Sequence, residues 1–223
     1  MAYTLSDILQ DVGAIITQDT TLPTGGDLAV QTQMVNQAIS EWSNAYEWKQ
    51  LRVNQFGPTI VASQTSIGLP INFKKLMSRP YRMDVSTDND YEEVRPEDFY
   101  ARTFWDVNNR FCLVGGNNVS GYYLQINPAL PSGASLLFDY QAYPSLVSNT
   151  TDVVVVPSRS FVSKKVLAKL FEARADPRFP QFNSEAEDSL ANMMENEAAL
   201  SGAFSNQTRN QYTQTNFRIG QES

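Results

Sequence analysis

The sequence predicts an α+β fold: a helical bundle formed by both chain ends, with an inserted antiparallel β-sandwich or small barrel and an extended C-terminal tail. Hydrophobic residues recur at helical spacing near both ends, alternate with polar residues in the middle, and become scarce at the C-terminus. The expected boundaries are residues 1–50 and 157–202 for the two halves of the bundle, 51–156 for the β-rich domain and 203–223 for the tail.

Two helices are predicted before the β-rich domain. The first covers residues 4–17, where Thr4 and Asp7 have the spacing of a capping box. The second runs from about residue 27 to 46, and its wide apolar stripe indicates burial on two sides. The residues of the first apolar face are Leu5, Ile8, Leu9, Val12 and Ile16.

The middle of the chain alternates with the period of a strand. The clearest alternation is Leu136, Phe138, Tyr140 and Ala142, and sequences rich in glycine, proline and asparagine separate such runs. A short helix is expected at residues 96–107, because Pro96 suits a first helical turn. The turn sequences are 57–58, 115–118 and 131–133, and weaker alternation occurs at 51–53, 111–113 and 122–126.

Two more helices are predicted after Pro157. The first covers residues 161–173 and ends before Asp176-Pro177, and Pro180 is expected to interrupt the chain. Ser184 and Glu187 then have the spacing of a capping box, so the last helix is expected to begin there.

Composition disfavours several classes of function. The chain has no histidine, which removes histidine-dependent nucleophiles and most transition-metal sites, so we expect no catalytic residues, cofactor or metal. Its one cysteine, Cys112, lies in a strand-like apolar run and is expected in the core. A net charge of −7 disfavours tight binding to nucleic acid. No apolar run is long enough to cross a membrane, and no signal peptide is apparent, so we expect synthesis in the cytoplasm.

The densest acidic stretch lies between residues 84 and 106. We expect a solvated loop; an ion or subunit contact and a carboxylate pair for glycoside cleavage are the alternatives. Its members are Asp84, Asp88, Asp90, Glu92, Glu93, Glu97, Asp98 and Asp106.

The last two predicted helices carry opposite charges. The first is rich in lysine and arginine, and the second holds acidic residues and no basic one up to Thr208. Either the two helices pair within one chain, or neighbouring protomers pair these faces around a ring. The candidate ring-interface residues are Arg159, Lys164, Lys165, Lys169, Glu185, Glu187 and Asp188.

Three segments resemble a known family. They are residues 34–42 (MVNQAISEW) leading to Trp48-Lys49-Gln50-Leu51, the stretch 69–76 (LPINFKKL), and residues 123–128 (YLQINP) followed by 136–140 (LLFDY). In order and spacing they are similar to phage head-to-tail adaptor (connector) proteins, including the tubular tail proteins of short-tailed phages. The resemblance covers roughly residues 4–200, and the sequence departs from it in its long 84–110 segment and its amide-rich tail.

The resemblance implies a structural subunit of the virion. It implies a ring, typically of twelve copies, that docks on the portal, joins tail or nozzle proteins and passes double-stranded DNA through a central channel without specific binding. We expect the polar tail to become ordered only against another chain, and the portal is the favoured partner. The candidate portal contacts are Phe204, Tyr212, Phe217 and Ile219.

Two other function classes remain open from the sequence. One is a carboxylate-dependent cell-wall glycosidase of a phage tail, which would need two carboxylates about 5–9.5 Å apart in a cleft. The other is a β-sandwich carbohydrate-binding module, which would need aromatic rings exposed together on the sheet.

Overall fold

The chain forms two compact units in the computed structural model. One comprises Met1–Lys49 with Ser145–Ser223, and the other comprises Gln50–Pro144. The structure describes residues 2–60, 63–84, 90–99, 109–117 and 121–216, with the backbone alone at 116–117 and 201–216. The helices are α1 (Leu5–Ile16), α2 (Gly25–Ala45), α3 (Pro96–Phe99), α4 (Arg159–Ala173) and α5 (Phe179–Asn216), with a 3₁₀ helix at Lys49–Leu51. The strands are β1 (Arg52–Phe56), β2 (Gln64–Gly68), β3 (Phe73–Leu76), β4 (Tyr81–Arg82), β5 (Glu92–Glu93), β6 (Arg110–Asn117), β7 (Gly121–Leu130) and β8 (Leu136–Ala142).

The start of α1 follows from a local signal. The backbone N–H of Thr4 donates to Oδ2 of Asp7 at 2.7 Å, and the Asp7 N–H donates back to Oγ1 of Thr4 at 3.4 Å. This confirms the predicted capping box, which satisfies donors that the first helical turn leaves unpaired. The helix buries four members of its predicted apolar face: Leu5, Ile8, Leu9 and Val12.

Helix α2 packs through its C-terminal half. Its buried residues begin only at Val35, and most of its first three turns are exposed. Trp48, just after the helix, stacks on Trp42 with ring centroids 5.0 Å apart and donates its indole N–H to the Trp42 carbonyl at 2.6 Å. The two tryptophans therefore fix the path of the chain as it leaves the helix.

Helix α4 is the centre of the helical unit. It packs against α1, α2 and α5, which is why apolar residues occur around most of its circumference. Ser158 caps its start by accepting a hydrogen bond from the Phe161 N–H at 3.2 Å. Its buried apolar residues are Phe161, Val162, Val166, Leu167, Ala168, Leu170 and Phe171.

Helix α5 corrects two predictions. It begins at Phe179, not at the Ser184 capping box, because Pro180 lies in the first turn, where a helix needs no N–H from it. It also continues to Asn216, so residues 203–216 of the predicted extended tail are helical. After Pro180 no proline interrupts this stretch, and Gly202 alone does not end the helix. Residues 217–223 lie outside the described part of the chain.

Two sheets form the β-rich unit, and they confirm the predicted α+β class. One has the order β1-β8-β3, with β4 also paired to β8, and the other has the order β2-β7-β6-β5. All the pairings between these strands are antiparallel except that of β5 with β6. The described strands make two open sheets and no closed barrel.

The inner faces of both sheets meet in one apolar core. Phe138 and Tyr140 of β8 contribute from one sheet, and Phe111 of β6 and Leu124 of β7 contribute from the other. The predicted alternation along β8 is confirmed for the apolar face, because its even-numbered residues join this core, whereas Gln141 is buried outside it. Cys112 is fully buried, as predicted, and burial raises the pKa of its thiol.

The acidic stretch contains secondary structure that the sequence pattern did not predict. Glu92–Glu93 form β5, which pairs in parallel with the start of β6, and Asp84 forms an ion pair with Arg82. Of the helix expected at 96–107, Pro96–Phe99 is helical, and residues 100–108 lie outside the described part of the chain, as does Asp88.

Candidate functional site: a charged surface on the helical unit

The α4–α5 pair carries one ion pair of the kind that the sequence suggests. Nζ of Lys164 lies 3.1 Å from Oε2 of Glu185, and both side chains are about one-third exposed. Glu185 also accepts a hydrogen bond from the side chain of Gln181 at 3.0 Å. The hydrogen bond from Gln181, followed by that from Lys164, holds the pKa of Glu185 below its ordinary value.

The other two lysines of α4 have an acidic partner on α2. Nζ of Lys169 lies 2.6 Å from Oε1 of Glu41, and Nζ of Lys165 lies 3.2 Å from Oε2 of the same carboxylate. Burial works to raise the pKa of Glu41, but the hydrogen bond from Lys169 and the charges of both lysines outweigh it and hold the pKa below its ordinary value. Glu41 was not among the predicted site residues, because only the fold brings α2 beside α4.

Arg159 fastens the start of α4 to α1. Its guanidinium donates to both carboxylate oxygens of Asp11, at 2.7 and 2.6 Å, and to the carbonyl oxygen of Asp7 at 3.0 Å. Ser163 donates to the same Asp11 carboxylate at 2.9 Å. This bidentate geometry is the strong form of an arginine–carboxylate contact.

The remaining acidic candidates lie on α5. Glu187 accepts a hydrogen bond from the Asn183 amide at 2.7 Å, and Asn183 in turn accepts one from Lys165 at 3.1 Å. Asp188 is exposed, one helical turn beyond Glu185. The candidate basic residues are thus paired inside one chain, whereas their pairing between protomers stays a prediction.

A shallow groove of about 660 Å³ adjoins this charged surface and was not predicted from the sequence. Its apolar lining comes from three helices: Ala14 and Ile15 of α1, Leu167 of α4 and Phe182 of α5. Ile15 is 43% exposed. Its rim holds the two ion pairs Arg159–Asp11 and Lys164–Glu185.

The candidate portal contacts lie at the far end of the chain. Phe204 and Tyr212 belong to the last turns of α5, where the structure describes the backbone alone, and Phe217 and Ile219 lie outside the described residues. Their contacts stay predictions.

The described residues contain neither a cluster of metal ligands nor a helix able to cross a membrane. Among them, no three acidic or cysteine side chains cluster as metal ligands would. None of the helices in this part of the chain combines the length and hydropathy needed to cross a membrane.

Comparison with known proteins places the chain in a family. No curated protein matches it. The family model described as SU10 adaptor protein matches residues 3–218, which is nearly the whole chain and includes both units and the charged helical surface. The chain therefore belongs to the SU10 adaptor protein family, a family of phage head-to-tail adaptors.

Proposed function

We propose that this adaptor assembles into a ring that docks on the phage portal and joins it to tail or nozzle proteins. The resemblance to head-to-tail adaptors implies a ring of twelve copies. The observation that carries the proposal is the family match over residues 3–218, which makes the chain a structural adaptor of the virion. The ring, the portal contact and a central channel for double-stranded DNA are the proposed details of that role.

The lengths of the last two helices support a contact with another protein. Helix α5 has 38 residues and α4 has 15, so their lengths are about 57 Å and about 22 Å. Helix α4 is therefore too short to cover the whole of α5. Leu200, beyond the last buried residue described in α5, is 57% exposed. We assign the C-terminal end of the chain, with Phe204, Tyr212, Phe217 and Ile219, to contact with the portal.

The charge distribution supports a channel that DNA passes without binding. The net charge is −7, and residues 179–200 of α5 contain five acidic residues and no basic one. Phosphate contacts by lysine and arginine supply most of the affinity of a protein for DNA, so an acidic wall would not retain the duplex.

The described residues give little support to the two alternative functions. Asp84 forms an ion pair with Arg82, and Asp139 forms one with Arg52, so both carboxylates have a structural role. Tyr122 packs against the core residue Phe73, whereas its neighbour Tyr123 points to the other face of β7, so the two rings form no common sugar platform.

Native mass measurement tests the proposal. The purified chain is measured alone and with purified portal protein. The control is a portal variant in which the charged side chains of the surface that faces the adaptor are replaced by neutral ones. We expect a defined complex of portal with multiple adaptor copies, whether or not the adaptor forms rings alone. A chain that stays monomeric and separate from the portal at all concentrations would overturn the ring and the docking.

A further inference from the structure

We draw no further inference here: the strongest candidate, the apolar groove of the helical unit between α1, α4 and α5, carries no proposal because nothing in the described part of the chain shows what covers it.

Discussion

Lys169 and Glu41 join α4 to α2, with 2.6 Å between Nζ and Oε1, while Lys165, one helical turn earlier, holds the other oxygen of the same carboxylate. Two lysines that the sequence offered as contacts to a neighbouring protomer thus have an acidic partner on their own chain. Their first role is to fasten helices that come from opposite ends of the sequence.

Replacing Glu41 by glutamine should lower the free energy of unfolding at pH 7 by about 0.5 kcal/mol, a value kept small because solvent screens a carboxylate that is 42% exposed. The folded-state pKa of Glu41 lies below its ordinary value of 4.5, so the stabilisation is complete above that pH and is lost as the pH falls through the folded pKa. Urea unfolding at pH 7 and pH 3 measures this.

The control for Glu41→Gln is Glu195→Gln on the exposed surface of α5, which should leave the unfolding midpoint almost unchanged. A difference between wild type and Glu41→Gln that grows as the pH is lowered would contradict the assignment, because protonation should make the two side chains alike.

Reversing one charge of the Lys164–Glu185 pair should lower stability, and reversing the second charge should restore it. Lys164→Glu places two carboxylates where an ion pair stands, so the urea midpoint should fall, and adding Glu185→Lys should restore most of it. Measured as a double-mutant cycle on the free chain, the two changes should couple favourably. Purely additive effects would show that the pair contributes nothing within the chain.

The elements predicted correctly from the sequence depend on local signals. The capping box at Thr4 and Asp7 fixes the start of α1, and the alternation from Leu136 to Ala142 fixes the inner face of β8. Each signal spans only a few neighbouring residues, so neither depends on the rest of the fold.

The elements missed by sequence reasoning depend on tertiary context. Strands such as β3 and β5 have four and two residues, too few to show a period, and they exist because β8 and β6 pair with them. Pro180 is compatible with the first turn of a helix but would interrupt a helix interior, so its effect could be predicted only once the start of α5 was known. The partner Glu41 and the groove beside Ile15 arise only when helices distant in sequence pack together.

Removing the Glu197 carboxylate should destabilise the helical unit. It is 7% exposed and accepts the N–H of Lys49 at 3.0 Å, where the 3₁₀ helix begins. Glu197→Ala removes this hydrogen bond and should cost about 1 kcal/mol in the free energy of unfolding. Glu195→Ala, two residues earlier and exposed, is the matched control, and denaturant unfolding of both variants measures the difference. An equal loss in the two variants would contradict this use of Glu197.

Replacing Arg159 by lysine should lower the stability of the chain, although the charge is conserved. Lysine keeps the charge but lacks the planar fork that donates to both oxygens of Asp11, so Arg159→Lys should cost about 1 kcal/mol of stability. Arg174→Lys, at the exposed end of α4, should change stability little, and both are measured by denaturant unfolding. An unchanged Arg159→Lys variant that fails to assemble would instead place Arg159 at the interface between protomers.

Shortening the chain should separate folding from assembly. Deleting residues 206–223 removes the last turns of α5 and the segment after it, well beyond the last buried residue described in the helical unit, Glu197. The free chain should therefore keep its unfolding midpoint and lose its portal complex in native mass spectrometry. A full-length chain with Phe204→Ser and Tyr212→Ser should show the same loss, whereas the matched change of the polar neighbours Gln207→Ser and Gln211→Ser should not. Normal portal binding by the shortened chain would show that the portal contact lies elsewhere, because residues 206–223 would then be dispensable for it.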